Sequence, residues 1–161
     1  MAITGLAKGP IKEIMTFRLG PNSDILKSLK QACDENGVKN GVIICGIGSL
    51  KGAKFFNPTP VPKSVSLLGY GYPPSPQELR TGAIELIAVN GIICHGDDGE
   101  VSMHIHFTVS DELGNAWGGH MVDGNEILLT GEFVIGVIDK VDMVRKFNEE
   151  VGIPVFSPTQ L

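Results

Sequence analysis

Residues 103–121 read M-H-I-H-F-T-V-S-D-E-L-G-N-A-W-G-G-H-M. This stretch holds three of the four histidines and the only tryptophan of a 161-residue chain. Asp111-Glu112-Leu113-Gly114 suits a type I turn followed by a glycine in the left-handed region, the usual three-residue hairpin loop. With Glu112, Leu113 and Gly114 as the loop, Asp111 faces Asn115 and His106 falls directly opposite His120. His104 lies two residues along on the same face. Directly opposed Cβ atoms in such a ladder are about 4.5–5.5 Å apart, so the three imidazoles can converge.

The same register sorts the rest of the hairpin. Met103, Ile105, Phe107, Val109, Trp117 and Met121 point to the other side and are uniformly large and apolar, as a core face should be. The histidine face carries the small residues Thr108, Ser110, Ala116 and Gly118, which predicts a recess. A one-residue slip would put His120 among the core residues and break both patterns.

Three imidazoles on one face suit a metal ion with Zn–N bonds of about 2.0–2.1 Å, leaving a tetrahedral ion one open position. Zinc is the first expectation; nickel, copper, cobalt and iron accept the same ligand type. A zinc-bound water of lowered pKa would permit hydrolysis or hydration. The competing reading is a hydrogen-bond cluster or a subunit interface. Glu85 and Glu132 lie within otherwise apolar strands and are candidates for a carboxylate behind the metal ligands; salt bridging or exposure is the plainer reading of either. His95 sits in a polar turn and reads as ordinary.

Outward from the hairpin, residues 79–94 read as a long strand, kinked at Asn90-Gly91, and residues 126–138 as another, rich in β-formers. Residues 41–50 form an apolar run that suits a strand buried on both faces. Its Gly46 and Gly48 point to a bulge or to close approach of a backbone or ligand. With Ser49, Gly118 and Glu132 they are expected to line a ligand cleft. Residues 11–19 are the first strand. Asn22 or Ser23 then caps a helix from about Asp24 to Glu35, and residues 51–57 return as a strand. Residues 58–76 hold six prolines and read as a surface excursion, with residues 65–70 as an edge strand. Val144, Phe147 and Val151 have helical spacing, so residues 141–151 read as a short terminal helix followed by an irregular tail.

The fold expected is α+β: one compact domain with a largely antiparallel sheet flanked by helices. Residues 1–10 form an N-terminal extension, 11–150 the domain, and 151–161 a tail packed on it. The net charge is −5 and the strongest basic density is the pair Arg145-Lys146. Nucleic-acid affinity rests largely on phosphate neutralisation, so direct binding to DNA is disfavoured. Cys33, Cys45 and Cys94 are odd in number and lack C-x-x-C spacing. Cys45 and Cys94 fall in apolar runs and read as buried reduced thiols. No signal-like stretch and no apolar run of membrane-spanning length is evident, so a cytoplasmic setting without a membrane is expected.

The pieces F-R-L-G-P-N-S-D-I-L-K-S-L at 17–29, G-V-I-I-C-G-I-G-S-L at 41–50, I-E-L-I-A-V-N-G-I-I at 84–93, H-I-H at 104–106, G-G-H-M at 118–121 and E-F-V-I-G at 132–136 occur in order. Together they resemble the plants-and-prokaryotes conserved (PPC) domain. The resemblance implies a compact domain on a largely antiparallel sheet that assembles as a homotrimer. In its prokaryotic members three histidines form a zinc site, which carries over to His104, His106 and His120. Plant members join the domain to a basic R-G-R-P hook that grips the DNA minor groove, and this sequence contains no such element. No firm enzymatic activity comes with the family. The first expectation is a stand-alone, metal-binding homotrimer that holds a small ligand at the open position. The alternatives are a zinc-dependent hydrolase or lyase and a DNA-associated regulatory module acting through a partner.

Overall fold

The computed structural model describes residues 3–79 and 82–161. Among these the elements run β1 (Ile11–Leu19), α1 (Ile25–Glu35), β2 (Gly41–Leu50), β3 (Ala53–Phe56), β4 (Thr59–Pro60), β5 (Tyr70–Gly71), β6 (Gln77–Leu79), β7 (Ile84–His95), β8 (Val101–Ser110), β9 (Ala116–Met121), β10 (Ile127–Ile138), β11 (Val141–Asn148) and β12 (Ile153–Gln160). Ten strands form one sheet, in the order β1-β10-β2-β7-β8-β9-β3-β6, with the β11–β12 hairpin attached to β7. Every pairing in it is antiparallel except a single parallel bridge between Val144 and His95. The strands β4 and β5 pair separately.

Alternation along the strands decides where the core sits. Ile105, Phe107 and Val109 of β8, Phe133, Ile135 and Val137 of β10, and Leu86, Val89 and Ile93 of β7 are all buried on one side of the sheet. Helix α1 closes that side with Ile25, Leu29 and Cys33, each fully buried. Phe17 stacks on Phe133 with ring centroids 5.7 Å apart. The cap of α1 is Asp24, one residue later than expected, whose Oδ1 accepts from Lys27 N at 3.1 Å. Its other carboxylate oxygen accepts from Gly124 N at 2.6 Å, tying the helix start to the turn before β10.

Several expectations are corrected. The sheet is not flanked by helices: α1 is the one helix among the described residues. Residues 141–148 form strand β11, because Val141, Met143 and Arg145 alternate onto one face, a period that competes with the helical spacing in the same segment. Gly152, with φ +76, turns the hairpin, and the tail expected to be irregular becomes β12. The 65–70 edge strand does not form; only Tyr70 and Gly71 pair, with Pro60 and Thr59. The irregularity in β7 falls between Leu86 and Ala88 rather than at Asn90-Gly91. Cys45 is exposed, beside a register shift between β2 and β10, whereas Cys94 is buried and its thiol donates to Ser102 O at 3.0 Å.

Candidate metal centre

The hairpin forms in the predicted register. His106 pairs with His120, Thr108 with Gly118 and Ser110 with Ala116. Asp111 locks the loop: its Oδ1 accepts from Leu113 N at 3.0 Å and Asn115 N at 2.9 Å. Those bonds, led by the Asn115 side chain on Oδ2, hold the carboxyl below the usual carboxylate range. Gly114 takes φ +80, as the turn requires. Trp117, the cross-strand partner of Val109, keeps the core face assigned to it but not the burial. It lies 44% exposed, with its indole N–H donating to Asp111 Oδ2 at 3.3 Å. Strand β3 pairs with β9 only opposite His120 and Met121, so its ladder stops short of Trp117.

The three imidazoles come together. One ligating nitrogen from each of His104, His106 and His120 lies within 4.8 Å of the others. The Nε2 atoms of His104 and His106 are 3.1 Å apart, and the ring centroids are separated by 4.9, 5.0 and 5.4 Å. Burial pushes His120 down to about 4, with the other two histidines and Arg145 adding to it. Burial likewise lowers His104, with Arg145 and His106 contributing. These two imidazoles are therefore neutral near pH 7 and offer lone pairs. His120 Nδ1 is buried without a hydrogen-bond partner, an uncommon state for a buried polar atom. An all-nitrogen set of this kind fits a divalent transition ion of the zinc type. Bound there by His104, His106 and His120, such an ion would supply Lewis acidity at its remaining position.

Three further side chains stand around the cluster, and none was singled out from the sequence as part of the site. Tyr72, from the proline-rich excursion, packs its ring 5.3 Å from that of His120 and 5.7 Å from that of Phe56, the cross-strand partner of His120. Asn90 is the β7 partner of His106. It lines an open recess of about 410 Å³ with His106, Thr108, Trp117 and Gly118. Arg145 reaches in from β11, with Nη1 donating to Met103 O at 3.5 Å and Nη2 to Pro154 O at 2.8 Å. A basic residue in a segment that reads as a short terminal helix carries no signal of this. In the sequence Asn90 reads only as part of a kink.

The remaining expected ligand residues lie elsewhere. Gly118 shares the recess with His106, and a Cβ there would stand 2.3 Å from Phe107 O, so glycine is what lets β8 and β9 close. Gly48, Ser49 and Glu132 line a separate recess of about 290 Å³ with Glu85. Neither glutamate joins the histidines. Gly46 is buried, where a Cβ would lie 2.7 Å from Val89 Cβ, and Ser49 Oγ accepts from Leu129 N at 3.2 Å. His95 is not an ordinary turn residue: Nε2 meets Asp142 Oδ1 at 2.7 Å and Nδ1 meets Gly96 O at 2.8 Å.

The sequence profile of the Plants and Prokaryotes Conserved (PCC) domain matches residues 6–139. The chain belongs to this family. Among solved structures similar to this PCC domain is a plant- and prokaryote-conserved protein of Pyrococcus horikoshii, 24% identical, covering 99% of this chain and 100% of that one with a TM-score of 0.74. Another is a metal-containing protein of Archaeoglobus fulgidus, 18% identical, covering 97% and 99% with a TM-score of 0.76. At these identities the likeness shows the fold. Among curated relatives, the bifunctional protein GlmU of a Synechococcus strain is 28% identical over 123 residues, 76% of this chain and 16% of that protein. The PCC chain thus spans about a sixth of the length of that relative.

Proposed function

We propose that this PCC domain works through a divalent metal, zinc before others, held by His104, His106 and His120 with one coordination position open to a small ligand. The observation that carries this is the convergence of three imidazole nitrogens within 4.8 Å on one hairpin face. The buried, partnerless Nδ1 of His120 supports it, as does the metal content ascribed to the Archaeoglobus protein. A ligand-binding role is favoured over a hydrolase or lyase. Among the described residues no carboxylate joins the cluster, and Glu85 and Glu132 line a different recess, so a general base is not at hand. The net charge of −5 argues against direct DNA contact.

The assembly is a homotrimer. Ile11, Ile14, Ile44 and Ile47, between 42% and 52% exposed, gather by register on the sheet face away from the core that α1 closes. An apolar surface of that kind suits self-association. Three unpaired cysteines are in keeping with a reducing, cytoplasmic setting. Among the described residues no helix is long and apolar enough to cross a membrane.

Metal analysis of the purified protein beside His106→Ala tests the reading. One metal per chain, lost in the variant, is expected. A protein without stoichiometric metal, unchanged by the substitution, would overturn it.

A further inference from the structure

Alternate residues of a strand share a face, so Val141, Met143 and Arg145 of β11 point the same way. Val141 and Met143 are buried with Cys94, against Ile92. Ile92 is the cross-strand partner of His104, and cross-strand partners share a face. The surface that β11 covers on β7 therefore runs on into the histidine face, and Arg145 is the residue that arrives there.

Its two backbone contacts, to Met103 O beside His104 and to Pro154 O on β12, fix the guanidinium between neighbouring strands. They occupy two of its five N–H donors. Nε is buried with no partner, and no carboxylate pairs with Arg145 among the described residues. The positive charge is felt at both His104 and His120. Imidazole ligands bring no negative charge to offset a divalent ion, and among the described residues no acidic side chain joins the cluster. A guanidinium fixed beside such a centre repels cations and attracts anionic oxygen.

We infer that Arg145 is an anion-recognition residue, and that the ligand of the open position is a small molecule whose carboxylate or phosphate oxygens lie between the three-histidine centre and the guanidinium. This rests on the metal-binding reading above. The competing role is a strut that merely ties β8 to β12.

The test is titration of the cobalt-loaded protein with acetate and, separately, inorganic phosphate, followed by the visible absorption of the cobalt. The unaltered protein should give a saturable change with at least one anion, and the anion that acts identifies the ligand class. Arg145→Gln should keep one cobalt and the same starting spectrum while binding that anion roughly tenfold or more weakly. Arg145→Lys should recover part of the loss. Equal anion affinity in Arg145→Gln and the unaltered protein, or no spectral response to either anion, overturns the inference while leaving the metal site standing. Failure to take up cobalt overturns the metal reading and this inference with it. Should Arg145→Gln not fold, the Nε–H resonance of Arg145 in the unaltered protein decides: it shifts on anion addition, or the inference fails.

Discussion

His106 and His120 face each other across the β8–β9 ladder, paired residue to residue with ring centroids 5.4 Å apart. His106 is exposed whereas His120 is partly buried, so the pair combines a ligand open to solvent with one fixed by packing. Zinc should therefore stabilise the fold by linking groups already in place. At a hundredfold excess over the dissociation constant the gain is about 2.7 kcal/mol. In His106→Ala that gain should vanish, while the metal-free variant stays within about 0.5 kcal/mol of the parent, as expected for an exposed position. Thermal unfolding with and without zinc measures both.

Gly118 controls the same pair from a distance. A methyl group there would press on Phe107 O, forcing β9 away from β8 two residues from His120. Gly118→Ala should lower zinc affinity by about tenfold or more, the scale seen when ligand-orienting contacts are lost, though no ligand is touched. Competition against a chromogenic chelator reads the change. Unaltered affinity would show that the ladder need not be this close.

The core offers a contrast between two aromatics. Phe133 is 1% exposed and stacked on Phe17, whereas Trp117 is 44% exposed. Phe133→Ala should cost about 3–5 kcal/mol. Trp117→Ala should cost less than about 1 kcal/mol. Denaturant unfolding of both variants checks the ranking, and a larger loss at Trp117 would contradict the contrast in burial.

The β11–β12 hairpin, which carries Arg145, joins β7 by one parallel bridge, at His95. Both nitrogens of His95 meet oxygens, those of Asp142 and Gly96, an arrangement that favours the protonated ring. The Asp142 hydrogen bond leads in raising its pKa above the ordinary 6.5, with the Gly96 carbonyl adding and Lys39 opposing. A raised folded-state pKa contributes stability that is fully present below the unfolded value and lost as pH rises through the folded one. Amide exchange of β11 should therefore be slower near pH 5.5 than near pH 8.5, after correction for intrinsic rates. In His95→Gln that difference should be absent.

How much of this was legible beforehand varied with the range of the signal. The hairpin register was readable because one short loop, residues 112–114, sets the partner of every residue on both strands, and the apolar and small residues agree with it. Residues 141–148 misled because apolar side chains at 141, 143, 144 and 147 satisfy both a period of two and one near 3.6. What selected the strand was pairing with residues 153–160, through contacts the sequence of β11 alone does not contain. Tyr72 and Arg145 were missed for a related reason. Tyr72 packs on His120 and Arg145 reaches the carbonyl beside His104, each from a segment far away along the chain, and neither carries a motif. Trp117 looked like core by alternation, but alternation does not tell how far the neighbouring strand β3 extends along β9.

The coordination sphere of the loaded protein is the most direct test of the central claim. X-ray absorption at the zinc edge should show three imidazole nitrogens at about 2.0–2.1 Å with one further light atom, and His106→Ala should retain no such site. A sphere containing sulfur from a cysteine, or one unchanged by that substitution, would contradict it.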